Sequence, residues 1–289
     1  MTSHFPIIGY VGSDPISRML IGPALDLGVD FHRSPAIRDF KTLREFARQC
    51  NILLHSEGDL AISTIRTLEA EGIILRPSSA ALDFANARNE TVSNESGLMV
   101  SVLVARSMHN QYSVWAPTQF YHAQNLSVTP AQGLSVAVLL KAEELALAIA
   151  AEMELVGVMS VEMAVDREEI RIGQLNVHPT FTGNWTLDGS ITDQYEQHLR
   201  AVLDLPLGDT TMISHLVVSA LFHSGSQLNM YRPYLHLMAR SPRLKFHHYR
   251  VEGDTLAPQG HVTALGDDLI DLRECVNHAI DYMSGVVDE

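Results

Sequence analysis

Glu162 stands in the middle of an apolar run, Val158-Met-Ser-Val-Glu-Met-Ala-Val165. A carboxylate on the inward face of such a strand is costly unless it is paired or bound to a cation, so an inward Glu162 implies acid–base or cation chemistry. Strand alternation equally allows an outward, solvated side chain, and both orientations stay open. Histidines supply further candidates. Glu274 and His278 are four apart and share a helix face, whereas the adjacent His247 and His248 point to opposite faces of a strand. No H-E-x-x-H or C-x-x-C is present, and Cys50 and Cys275 are the only cysteines. Scattered core and surface histidines, without a transition-metal site, are therefore the expectation. Neither G-x-x-x-x-G-K-[ST] nor G-x-G-x-x-G occurs, and Gly9-Tyr-Val-Gly12 reads as an ordinary strand-to-helix turn.

The elements that must position these residues alternate in the first third. Strands are expected at Pro6–Tyr10, Val29–His32, Asn51–His55 and Ile73–Arg76, with helices at Pro15–Leu27, Thr42–Gln49, Leu60–Glu71 and Ser79–Arg88. That order argues for a parallel α/β sheet. Asn89–Gly97 is polar and aperiodic and reads as a joint. Beyond it, Leu98–Arg106, Tyr112–Ala116 and Phe120–Val128 read as antiparallel strands, Leu134–Glu154 as a long helix, and Gly157–Val165 with Ile170–Val177 as a strand pair. A helix at Thr192–Leu203, strands near Ser214–Phe222, Lys245–Arg250 and His261–Leu265, and a closing helix at Asp268–Met283 complete the chain.

The chain of 289 residues has 20 basic and 34 acidic side chains, a net charge of −14. Acidic balance argues against nucleic acid or an anionic membrane surface as partner. Only three lysines occur, Lys41, Lys141 and Lys245. No apolar run is long enough to span a bilayer and Met1–Tyr10 lacks signal-peptide character, so a cytoplasmic protein is expected.

Read together, several stretches resemble the N5-carboxyaminoimidazole ribonucleotide synthase (PurK) family of ATP-grasp proteins. The longest begins Gly183-Asn-Trp-Thr186 and runs through Gln194-Tyr-Glu-Gln-His-Leu-Arg-Ala-Val202 to Leu205-Pro-Leu-Gly208. It is similar to the family's G-H-W-T…S-Q-F-E-Q-H-L-R-A-V…L-P-L-G. Ser17-Arg-Met-Leu20, Arg76-Pro-Ser-Ser-Ala-Ala-Leu82, Val100–Arg106, the strand bearing Glu162, and Gly260-His-Val-Thr-Ala-Leu-Gly266 resemble further family motifs in the same order. The resemblance implies an α/β chain with a reduced ATP-grasp architecture. Residues 1–88 would be a truncated Rossmann-like α/β domain, 89–97 a joint in place of the small ATP-binding lobe, 98–206 the remaining ATP-grasp half with antiparallel sheet and helices, and 207–289 a small C-terminal α+β domain.

The family couples ATP cleavage to carboxylation of 5-aminoimidazole ribonucleotide, using magnesium. Departures from its pattern concentrate where that chemistry would sit. A nine-residue joint, Asn89–Gly97, spans at most about 30 Å and cannot form a phosphate-covering lobe. Glu162 matches the first magnesium ligand, but Gly173 and Gln174 stand where the family has Asn and the second Glu, and an amide cannot offset the charge of a hard cation. His178, Thr180, Phe181 and Asn184 replace the family's Arg, His, Asn and His. Tyr249, Arg250 and His261 remain from the ribonucleotide phosphate clamp, while Glu252 and Asp254 add charge of the wrong sign. Asp14 and Pro15 weaken the anion-binding turn before Arg18.

These readings imply a catalytically inactive relative that binds neither ATP nor magnesium and acts as a binding or regulatory scaffold, with a homodimer or another protein as partner. The alternative is an ATP-independent enzyme or binder of an imidazole- or purine-like small molecule, with Glu162, His122 and His178 as acid–base groups and Tyr249, Arg250, His261, Asn184 and Arg18 as substrate contacts. A working synthase is the least favoured reading.

Overall fold

The computed structural model describes residues 5–12, 14–34, 37, 39–56, 58–92, 97–223, 231–249 and 257–286. The first part alternates β1 (Ile7–Val11), α1 (Ile16–Met19), α2 (Ile21–Asp26), β2 (Asp30–Ser34), α3 (Phe40–Ala47), β3 (Ile52–His55), α4 (Ile62–Ala70), β4 (Leu75–Arg76) and α5 (Ser79–Arg88). Its strands pair in parallel in the order β2-β1-β3-β4. Ile8, Leu53 and Leu54 are buried, as the apolar runs at β1 and β3 require.

The second part comprises β5 (Leu98–Arg106), β6 (Tyr112–Val114), β7 (Thr118–Tyr121), β8 (Leu126–Thr129), α6 (Val136–Glu152), β9 (Gly157–Asp166), β10 (Glu169–Asn176), α7 (Thr186–Gly189), α8 (Gln194–Val202), β11 (Leu216–Phe222), α9 (Tyr231–Arg240), β12 (Lys245–His248), β13 (Gly260–Gly266) and α10 (Leu269–Met283). One antiparallel sheet runs β10-β9-β5-β7-β8-β11-β13-β12, with β6 also on β5. The β8–β11 pairing carries this sheet across the boundary expected near residue 206. Helix α6 lies on a core with Val100, Val161 and Met163, whereas α9 and α10 cover a second core with Val218, Phe222 and Val262.

Local chemistry accounts for the helix starts. Asp39, Ser78, Ser135, Asp193 and Asp268 each accept a hydrogen bond from a backbone N–H in the first turn of α3, α5, α6, α8 and α10. Two expected elements are broken. The helix over Pro15–Leu27 divides at Leu20 into α1 and α2, because Pro23 has no N–H for the Met19 carbonyl and its ring crowds that carbonyl. The strand over Phe120–Val128 folds back as β7 and β8, with Asn125 in the left-handed region at φ 49°. Asn tolerates that conformation better than other non-glycine residues. This reversal places His122 at a hairpin tip. Among the described residues, no helix is long and apolar enough to cross a membrane.

Candidate functional site

Glu162 points inward. On β9 it is cross-strand partner to Ser101 of β5, and its side chain reaches a cavity of about 300 Å³. Phe120, His122, Ser127, Asn176, His178, Thr180, Phe181, Thr182 and Ser219 share the lining. Burial raises the Glu162 pKa, while the His122 charge and a 3.4 Å hydrogen bond from Asn176 Nδ2 oppose the rise. His122 is exposed, with its ring edge-on to Phe120 at 4.7 Å. His178 is half-buried and its Nδ1 bonds the Pro179 carbonyl at 2.8 Å. The three acid–base candidates therefore meet in one cavity.

The residue beside Glu162 was not foreseen. Gln174, which the resemblance places at the second magnesium ligand, is exposed. The register of β10 on β9 shifts between Ile172 and Leu175, so that Asn176 lies opposite Ser160. Asn176 Nδ2 then donates to both Ser160 Oγ, at 3.1 Å, and Glu162. A β-bulge of this kind inserts one residue into a strand and re-aims those that follow.

Asn184, Tyr249 and His261 form a second group. Asn184 is fully buried and its Oδ1 accepts from Tyr195 Oη at 2.6 Å and Gln194 Nε2 at 3.2 Å. Gln194 is itself oriented by the Thr180 backbone, accepting from its N–H and donating to its carbonyl. Asn184 Nδ2 then donates to Tyr249 Oη at 2.6 Å, and Tyr249 Oη bonds His261 Nδ1 at 2.7 Å. Burial drives the His261 pKa well below its ordinary value, so the imidazole is neutral. Phe181, which lines the cavity, stacks on Tyr249 with ring centres 5.9 Å apart. The polar group thus lies behind an aromatic wall and does not open directly into the cavity.

The remaining expected contacts separate from these. Arg18 on α1 is half-buried beside Arg33, whose pKa falls through burial and then through the Arg18 charge. Arg18 does not line the cavity. Nearby, Asp14 accepts from Tyr10 Oη at 2.6 Å and Ser56 Oγ at 2.8 Å, so the turn after β1 presents a carboxylate already engaged by the protein. Arg250, Glu252 and Asp254 lie outside the described residues.

The start of the short joint packs on the sheet edge beside Glu162. Asn89 Oδ1 accepts from Leu175 N at 2.7 Å, and Glu90 N donates to the Gly173 carbonyl at 3.2 Å, covering edge strand β10. Val92 packs with Met99, Phe120 and Ala164. A side-chain carbon on Gly173 would overlap Val92 Cγ2 and lie 3.2 Å from the Glu162 carbonyl. Around Glu162 the cavity offers one carboxylate, the Asn176 amide, hydroxyls and the imidazoles of His122 and His178, and no Lys or Arg lines it among the described residues. That set does not fit a magnesium–nucleotide complex, which needs several hard oxygens for the ion and cations for the phosphates.

Comparison with known proteins gives the architecture its relatives. Residues 92–195 match the ATP-grasp domain model. The N5-carboxyaminoimidazole ribonucleotide synthase of Mycobacterium tuberculosis is 34% identical over 192 residues, covering 64% of this chain and 45% of that protein. The chain resembles the N5-carboxyaminoimidazole ribonucleotide synthase family. The Bacillus subtilis synthase is 36% identical over 118 residues, covering 39% of this chain and 31% of its own. The chain therefore spans about half the length, or less, of the curated relatives it matches. Its fold is that of the synthetases. The Thermus thermophilus enzyme superposes with a TM-score of 0.80 at 20% identity, covering 98% of this chain and 99% of that one. The Thermotoga maritima enzyme gives 0.82 at 17% identity, with 96% and 98% covered. The expected α/β ATP-grasp fold, with its antiparallel sheet and helices, is thus observed.

Proposed function

We propose that this chain is a relative of the synthases that has lost ATP-dependent carboxylation and serves as a binding scaffold, with a second copy or another protein as its partner. The carrying observation is the seating of Val92 against Gly173 beside Glu162. The joint that replaces the ATP-binding lobe occupies the flank of the only carboxylate matching a family magnesium ligand. The absence of Lys and Arg from the described lining supports the same reading, because a triphosphate beside Glu162 would find only the imidazoles of His122 and His178 as counter-charges. Isothermal titration of the full chain with Mg·ATP tests it. No heat of binding at micromolar ligand is expected, and saturable micromolar binding overturns it.

A second reading rests on the cavity itself. About 300 Å³ suits a small heterocycle, and Phe120 and Phe181 supply aromatic lining while Glu162 and Asn176 offer an acceptor and a donor. Glu162, His122 and His178 would then be the acid–base groups of an ATP-independent activity. A thermal-shift screen with imidazoles and purine-like compounds discriminates. A raised Tm that is lost in Glu162→Gln favours this reading, and no shift favours the scaffold with a protein partner.

A further inference from the structure

Three residues from separate elements converge on the face of the sheet opposite α9 and α10. Asp188 comes from α7, His247 from β12 and His261 from β13. His247 and His261 are cross-strand partners whose rings stack at 4.6 Å and 13°. Asp188 Oδ2 is 2.9 Å from His247 Nε2. One ligand atom from each residue lies within 4.8 Å of the other two. His261 is fully buried, and while its Nδ1 is held by Tyr249, its Nε2 has no hydrogen-bond partner. An imidazole nitrogen left unmatched in the interior costs stability unless something occupies its in-plane direction.

We propose that Asp188, His247 and His261 bind a divalent transition-metal ion of the zinc class. The site is distinct from the Glu162 cavity and independent of the function proposed above. Two imidazoles and one carboxylate match zinc, cobalt or nickel and not magnesium, which favours an all-oxygen set. Zn–N bonds of about 2.0–2.1 Å put tetrahedral ligand atoms roughly 3.3 Å apart, so the three groups must close by roughly 1.5 Å at most. The groups that can move are the ones with room. The side chains of His247 and Asp188 are 27% and 11% exposed, whereas His261 is held from behind. His247 must tilt out of its parallel stack to aim Nε2 at the ion.

Proton positions change with loading. The ion replaces the proton shared by His247 Nε2 and Asp188, and that proton leaves to solvent or moves to His247 Nδ1. The chain from Thr180 through Gln194 and Asn184 to Tyr249 aims the Tyr249 hydroxyl proton at His261 Nδ1 in the metal-free protein. A ligating Nε2 requires the opposite tautomer, with Nδ1–H donating to Tyr249 Oη and the hydroxyl proton turned away. Tyr249 and Asn184 are thus the outer residues that orient the ligand. Three protein ligands leave one coordination position for water or an added ligand.

Cobalt is the probe. The full chain, stripped with a chelator and titrated with Co²⁺, should develop the visible d–d bands of a four- or five-coordinate ion at one equivalent per chain. Zn²⁺ should abolish the bands and excess Mg²⁺ should leave them. His247→Ala and Asp188→Asn, at partly exposed positions that tolerate change, each remove a direct ligand and should weaken Co²⁺ binding by roughly 100-fold or more, beyond the ~10–100-fold that loss of an outer orienting residue costs. His215→Ala, which removes the exposed His215–Asp267 pair, should bind as the parent does. Absence of the bands at stoichiometric Co²⁺, displacement by Mg²⁺, or unchanged binding in both ligand variants overturns the proposal. None of these outcomes bears on Mg·ATP binding, so the two proposals fail separately.

Discussion

Gly173 on β10 and Val92 in the joint occupy adjoining space that a single methyl group would close. The relationship ties two departures from the synthase pattern into one. Gly173 stands where the resemblance places the family's Asn, and Val92, from the segment read as a short joint, lies over that glycine. The backbone needs no glycine at this point for its dihedral angles, so close approach is the reason for the residue. The course of this segment and the bare strand face at Gly173 are sterically coupled.

Gly173→Ala should therefore destabilise the chain by about 1–3 kcal/mol, the usual cost of overpacking. Val92→Ala in the same chain should recover most of that loss, because the overlapping atoms are the Val92 methyls. Urea unfolding of the two single variants and the double variant measures the coupling. Additive effects would show that Val92 does not sit over Gly173.

Glu162→Gln should raise stability at neutral pH. Burial holds the Glu162 pKa above its ordinary value, so the folded chain binds a proton more readily than the unfolded chain. Stability from this group is then highest at low pH and declines as pH rises from the ordinary carboxylate range through the folded pKa. The neutral amide has no such loss and can still bond Asn176. Melting curves at neutral pH should show a higher Tm, with each kcal/mol gained reading as roughly 2 °C in a chain of this size. The gain should vanish in acid below the unfolded pKa.

Buried histidines should give the opposite slope. The Nδ1 of His198 accepts from Val158 N at 3.1 Å, and burial pushes its pKa down to about 3. Between pH 6.5 and about 3 the unfolded chain takes up a proton here that the folded chain refuses, so stability falls as pH falls through that window. His261 acts in the same direction. His198→Asn, which keeps an acceptor but does not titrate, should flatten the acid limb by up to one proton, read from Tm against pH.

Asn184→Ala should cost about 3 kcal/mol in urea unfolding, because Tyr195 Oη, Gln194 Nε2 and Tyr249 Oη all lose a partner in a fully buried place. Asn184→Ala should also weaken Co²⁺ binding if the relay to His261 orients that ring, whereas a purely local packing role leaves cobalt affinity unchanged.

Much of the scaffold was legible from short-range pattern. The apolar runs at β1, β3, β5 and β9 mark their elements directly, while the side-chain caps at Asp39, Ser78, Ser135, Asp193 and Asp268 emerge only in the structure. Tyr195, Leu199 and Leu203 share the face of α8 that packs on Ile8 and Leu20, as their spacing requires. Two helices had no such mark. α7 is only four residues long, and α9 carries Pro233 near its start, which weakens a helical signal without preventing a first turn.

What the amino-acid order determined by itself was the alternation of elements, the reach of a nine-residue joint and the presence of one acid in an apolar strand. These depend on local geometry and chain length. Only the tertiary structure decided that Glu162 faces inward, that Asn176 and not Gln174 stands beside it, and that Asp188, His247 and His261 meet. A strand's period of two leaves its faces equivalent until a neighbour buries one, and a single bulge reassigns the residues beyond it. α7 meets the β12–β13 pair across 59 residues, from Asp188 to His247, a separation that no local spacing encodes.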